Sequence, residues 1–154
     1  MVSESWRTKV FRWTMNLWPC YRGTGARITY VARDWKEFRV KLPLSFRTRN
    51  YVGSIFGGSL YAAVDPIYML MLIKCLGSGY VVWNKASTIR FRRPGRSTLT
   101  ATFKLDDGEL DEIKHRLETE PKLDRTYRVE LADANGIVHA EIDEIIHISK
   151  KRKP

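Results

Sequence analysis

The sequence predicts an α+β domain in which one antiparallel sheet wraps round a single buried helix. Three observations carry this. Residues 57–76 are apolar almost all round, the mark of a helix enclosed on most sides by protein. The segments before and after it alternate apolar and polar residues with a period of two, as half-buried strands do. The connections between those segments are short and rich in Gly, Pro, Asn and Asp, which suit tight turns.

Each element follows in order. Trp6, Val10, Trp13 and Leu17 fall at helical spacing, with Phe11 and Trp18 widening the stripe. Ser3 or Ser5 can cap this helix, and Pro19 followed by Gly23 ends it. Its aromatic face is expected to pack on the domain. The alternative is contact with a partner or an anionic membrane surface, which Arg7, Lys9 and Arg12 would suit. Residues 26–33 and 37–42 then alternate as two strands of a hairpin across Asp34-Trp35, and Pro43 ends the second. Gly57-Gly58 opens the apolar segment, and Gly77 and Gly79 close it. Inside it, Pro66 removes the N–H that the Ala62 carbonyl would accept, so a kink is expected there. Residues 80–91 and 98–105 are strand-like and joined by a turn, Arg93-Pro94-Gly95-Arg96. A short charged helix over 109–117 can be capped by Asp106 or Asp107. Residues 126–132 and 137–148 flank Asp133-Ala134-Asn135-Gly136, whose Asn-Gly is a strong hairpin signal.

The 154 residues make one domain with a real core, and no repeat or linker divides them. The expectation is a single domain over 1–154, with a helix through residue 19 and a mobile basic tail at 149–154. Hydrophobic residues at 44% and charged residues at 29% are the balance of a soluble globular protein. The net charge of +10 implies an anionic partner: nucleic acid, anionic lipid, or a small phosphate-bearing substrate such as a coenzyme A ester. The absence of a helix-turn-helix pattern, a zinc motif or an aromatic-basic stripe weighs against nucleic acid. Cys20 and Cys75 fit no metal spacing and read as two reduced thiols of a cytoplasmic protein. Residues 1–18 lack the uninterrupted apolar stretch of a secretory signal. The longest apolar run, 60–73, is broken by Asp65-Pro66 and too short to span a bilayer.

Chemistry concentrates between Asn50 and Asp65. Gly57 and Gly58 precede the buried helix, where free backbone N–H groups favour negative charge and can hold the oxyanion of an attacked carbonyl. Asp65 is a carboxylate in an apolar segment, which needs a partner or a task. The structural alternative is that it only caps the helix beyond the kink. Asn50 can hold a water or tie down the loop. Seven residues at about 1.5 Å rise put Gly58 and Asp65 roughly 10 Å apart along one helix, too far to serve one carbonyl. Two such helices antiparallel across a dimer axis would bring Gly58 of one chain to Asp65 of the other. Tyr61 and Tyr68 can line an acyl pocket, although most residues of this segment are core. Arg90, Arg92 and Arg93 are suited to phosphate, with a solvated basic face as the alternative.

Asn50, Gly57, Gly58 and Asp65 keep the spacing of the signature of the hotdog-fold thioesterases of the phenylacetyl-CoA type. The wider run from Leu42 to Arg96, with Arg49-Asn50-Tyr51-Val52-Gly53, Asp65-Pro66-Ile67-Tyr68 and Trp83-Asn84-Lys85-Ala86, resembles a branch of that superfamily defined as a domain of unknown function. The resemblance implies a hotdog fold and a homodimer, alone or paired into a tetramer. It implies hydrolysis of an acyl-CoA or acyl-carrier thioester without a cofactor, coenzyme A being part of the substrate. It implies Asp65 as nucleophile or general base, the Gly58 amide as oxyanion donor and Asn50 as orienter of loop or water. Phe56 stands where those thioesterases carry histidine and cannot hydrogen-bond a thioester, so a non-catalytic acyl-CoA binder is the competing expectation. His115, His139 and His147 lie far from this segment in sequence, which weighs against dehydratase chemistry.

Overall fold

Ser5, not Ser3, starts the first helix, α1 (Trp6–Leu17), in the computed structural model, which describes residues 3–151. The Ser5 hydroxyl accepts from the Thr8 N–H at 3.2 Å, and the Thr8 hydroxyl accepts from the Ser5 N–H at 3.0 Å. The aromatic stripe does not pack on the domain as expected. Thr8 is buried and Phe11 and Met15 pack against the core, whereas Trp6, Val10, Trp13 and Leu17 are exposed. Polar side chains set this rotation. Glu4 accepts from the Val31 N–H and holds Arg12, and Asn16 both donates to and accepts from the backbone of Ile28, each at 2.8 Å. Phe11 then meets Trp35 edge-on at 5.0 Å.

Pro19 opens a second short helix, α2 (Pro19–Gly23), because proline at the first helical position gives up an N–H with no partner to lose. The hairpin follows as expected, with β1 (Arg27–Val31) antiparallel to β2 (Glu37–Leu42). Trp35 adopts a φ of 65° at its tip.

Pro66 does more than kink the apolar segment. It divides it into α3 (Gly57–Ala62) and α4 (Ile67–Leu76), with a turn over 63–66. By length and composition alone 57–76 would pass for a membrane-crossing helix, as the core helix of a globular domain also can, but it is two helices joined by a turn and half of the apolar stretch is buried inside the domain. Ile67, Met71 and Leu72 have no exposure, so α4 is a core helix, and cutting Leu72 to alanine would cost about 2–5 kcal/mol.

The remaining elements are β3 (Tyr80–Phe91), β4 (Leu99–Lys104), α5 (Asp107–Thr119), β5 (Lys122–Ala132) and β6 (Val138–Lys150). Asp106 caps α5 by accepting from the Glu109 N–H. All six strands form one antiparallel sheet in the order β1-β2-β4-β5-β6-β3. The Pro94-Gly95 turn therefore does not join neighbours. It carries the chain from the edge strand β3 across to β4, past the hairpin of β5 and β6. His139 anchors this crossover, with one ring nitrogen 3.1 Å from the Pro94 carbonyl and the other 3.2 Å from Asp133. Ser149 and Lys150, expected in the tail, belong to β6, and the rest of that tail beyond Lys151 lies outside the described residues.

Candidate active site

The edge strand β3 and the broken helix run alongside each other, and the site forms between them. A bulge at Lys85–Ala86 is the first requirement. Before it, Asn84 pairs with Ile146, and after it Ser87 pairs with Glu144, so both Asn84 and Ser87 face the helix. Strict alternation would have put them on opposite faces.

Asp65 sits half-buried in the turn between α3 and α4, opposite these two residues. Its Oδ1 accepts from the Tyr61 hydroxyl at 2.8 Å and from Asn84 Nδ2 at 3.0 Å. The Tyr61 oxygen lies 3.1 Å from Ser87 Oγ, which also meets Asn84 Nδ2 at 3.1 Å. Four side chains thus close a polar ring that orients one oxygen of the carboxylate. Oδ2 has no hydrogen bond among the described residues. The break itself is held by Tyr21, whose hydroxyl donates to the Ala63 carbonyl at 3.0 Å. Asp65 is not a helix cap, since neither α3 nor α4 has a side-chain cap.

Glu144, a residue outside the set the sequence points to, completes the inner arrangement. It has 0% exposure, and neither of its carboxyl oxygens has a hydrogen-bond partner among the described residues. It lies in register with Ser87 on one side and Tyr127 on the other. Burial, and then the charge of Asp65, push its carboxyl up to about 9, so it carries a proton at neutral pH. The signal was available. Ile142, Ile146 and Ile148 mark the inner face of β6, and residue 144 falls on it.

The other expected residues divide into three groups. Asn50 ties down its loop: Oδ1 accepts from the N–H groups of Val52 (3.1 Å) and Ser54 (3.0 Å), and Nδ2 donates to Ser54 Oγ. Phe56 starts α3 and is 58% exposed. Its ring lies over Gly58, where a Cβ would come within 2.3 Å of it unless this exposed side chain moved aside. Gly57 likewise lies against Phe91, at the far end of β3. Asn50 and Gly57 line a groove of about 340 Å³ with Phe91, Arg92, Arg93 and Gly95.

Tyr61 and Asp65 meet, as described, but Gly58 and Asn50 are not brought to them within one chain. Tyr68 is buried, stacked on Tyr127 at 4.5 Å and edge-on to Phe103, in the core rather than in the groove. Arg90 and Arg92 are already paired across the sheet's outer face, with Asp143 at 2.7 Å and Glu141 at 2.6 Å. Arg93 has no acidic partner among the described residues and lines the groove. It is the cation best placed for an incoming anion.

Residues 7–148 match the family described as Domain of unknown function (DUF4442). No curated protein matches the chain. Among solved structures, a Pseudomonas aeruginosa protein of unknown function, named a probable thioesterase, superposes with a TM-score of 0.82 at 19% identity, covering 94% of this chain and 96% of its own. A Haemophilus influenzae thioesterase gives 0.69 at 14% identity over 96% of this chain and 93% of its own. A mutant thioesterase from Pseudomonas aeruginosa gives 0.69 at 13% over 92% and 94%. These likenesses establish the fold, which is the hotdog.

Proposed function

Since the chain belongs to the DUF4442 family and shares its fold with thioesterases, we propose that it hydrolyses an acyl-CoA or acyl-carrier thioester as a homodimer, with Asp65 as nucleophile or general base. The observation that carries this reading is the state of Asp65. One oxygen is fixed by Tyr61 and Asn84, and the other has no hydrogen bond among the described residues, in a half-buried break of the central helix. A carboxylate held this way is oriented for proton transfer.

In the general-base route Asp65 takes a proton from water while the water oxygen bonds to the thioester carbon. The oxyanion is held by the Gly58 N–H of the other protomer. The C–S bond then breaks, the electron pair leaves on sulfur, and the proton on Asp65 passes to the thiolate, giving acid and thiol. Asn50 keeps the loop before Gly58 in place. Arg93, with Arg92 beside it, receives phosphates of the carrier in the groove that ends at Gly57.

Support for the dimer comes from the edge. β3 is twelve residues long and unpaired on one side, and such an edge invites a second strand. Tyr51, Val52, Phe56 and Phe91 are exposed near the start of α3, apolar surface that a second copy would cover. Cys20 and Cys75 are free, in keeping with a cytoplasmic setting.

Phe56 favours the competing reading, a non-catalytic binder of acyl-CoA, because it covers Gly58 with a ring that cannot donate to a thioester. A panel of acyl-CoA esters separates the two. Turnover by the wild type that is lost in Asp65→Ala supports hydrolysis. Saturable binding without turnover by either chain supports the binder and contradicts the enzyme.

A further inference from the structure

The cations of this molecule are distributed in two ways. On the outer face of the sheet, Lys85, Arg90, Arg92 and Arg128 are each paired with an acid. Around α1, Arg7, Lys9, Arg22, Arg27 and Arg47 are exposed and have no acidic partner among the described residues. Glu4, which immediately precedes α1, is committed to Arg12 and the Val31 N–H.

The same region holds several exposed aromatic side chains. Trp6, Trp13 and Trp18 face outward with Val10 and Leu17, Trp13 at 62% exposure, and Phe46 stands beside them at 99%. These are not scattered. Trp13, Leu17 and Phe46 line one groove of about 840 Å³ together with Arg22, Arg27 and Arg47. The helix cannot relieve this exposure by turning, because Glu4, Arg12 and Asn16 bind it to the β1 backbone.

From this juxtaposition we propose that the outward face of α1, with Phe46, docks on an anionic phospholipid surface. Tryptophan suits the interface, where its ring enters the acyl boundary and its N–H stays with the headgroups. The unpaired cations lie around the apolar side chains, where lipid phosphates and carboxylates would meet them. A second copy of the chain is the poorer occupant. In a two-fold interface the same five cations would face one another with no acid to neutralise them. The proposal is independent of whether the chain hydrolyses thioesters.

Flotation of the full chain with vesicles tests it. One set is phosphatidylcholine alone, and the other carries about a third phosphatidylserine. Binding to the anionic set with a blue shift of tryptophan emission is expected, weakening steeply as salt rises from about 0.1 to about 0.5 M. Trp6→Ser with Trp13→Ser should weaken binding roughly tenfold or more, each exchange removing buried apolar area. Arg22→Gln and Arg47→Gln should each weaken it about fivefold. All four positions are exposed, so the melting temperature reports that the fold is intact. Equal binding to neutral vesicles, or binding indifferent to these variants, overturns the proposal. So does a folded Trp6/Trp13 variant that changes oligomeric state while the wild type ignores vesicles. A chain that shifts DNA or RNA at low salt but leaves anionic vesicles unbound overturns it as well.

Discussion

Asp143 and Glu144 are consecutive residues of β6, and the sheet sends them to opposite fates. Asp143 points outward between Arg90 and Arg128, and hydrogen bonds first from Arg128 and then from Arg90 hold its carboxyl down at about 2. Glu144 points inward, finds no donor among the described residues, and is pushed up to about 9 by burial and by Asp65. The outer face is a lattice of matched charges open to solvent. The inner face beside the helix break brings the carboxyls of Asp65 and Glu144 near the hydroxyls of Tyr61 and Ser87, and Arg125, in register with Ile146, is engaged by a further acid, Glu112. Carboxylates near the surface with arginine partners stabilise modestly. Carboxyls confined near one another without such partners are the arrangement in which protons are stored and moved.

The largest test of this contrast exchanges one carboxylate from each face. Asp65→Asn should lower kcat for thioester hydrolysis by about a hundredfold or more. Asp143→Asn should leave kcat unchanged. Equal losses in the two variants would mean that the inner face has no special chemistry.

Glu144→Gln comes next. A folded-state carboxyl raised above its unfolded value binds its proton more tightly in the native chain, so stability declines as pH rises from about 5 to about 9. Glutamine cannot ionise and should abolish that slope, a difference on the order of 3 kcal/mol at neutral pH. Urea midpoints at three pH values read it directly. Parallel pH dependences in wild type and variant would show that Glu144 is solvated.

Much of this architecture was legible in the sequence. The bounds of β2 and β3, the cap by Ser5 or Ser3 and the disruption at Pro66 follow from alternation, hydroxyl placement and the missing proline N–H. The α1 rotation was not. Its sequence offers two overlapping stripes, Trp6-Val10-Trp13-Leu17 and Thr8-Phe11-Met15, and periodicity cannot choose between them. Hydrogen bonds from Glu4 and Asn16 to a strand distant in sequence make the choice. The crossover after Pro94-Gly95 was equally hidden, because a turn dipeptide says where the chain bends and nothing about which strand it joins next. Asp65 stood out as a charge in an apolar segment, and Asn50 and Gly58 as members of the family signature it shares with them. Asn84 and Ser87 did not stand out, since the bulge at Lys85–Ala86 is a product of strand pairing.

Two smaller effects sharpen the comparison. Tyr61→Phe removes one of the two donors to Asp65 Oδ1 and should lower kcat about tenfold with little change in stability. A loss as large as that of Asp65→Asn would make Tyr61 a participant in bond making. Asp143→Asn should cost about 1–2 kcal/mol in denaturant titrations at neutral pH, the solvent around Arg90 and Arg128 screening part of the interaction.

The decisive measurement mixes two inactive chains. Asp65→Asn lacks the carboxylate, and Gly58→Pro lacks the amide donor, its exposed Phe56 neighbour being free to swing aside. If each site joins the helix start of one protomer to the acid of the other, re-associated mixtures should recover roughly a quarter of wild-type activity, because half the dimers are mixed and each holds one intact site. A mixture that exchanges subunits yet stays as inactive as its two parents would contradict a shared site.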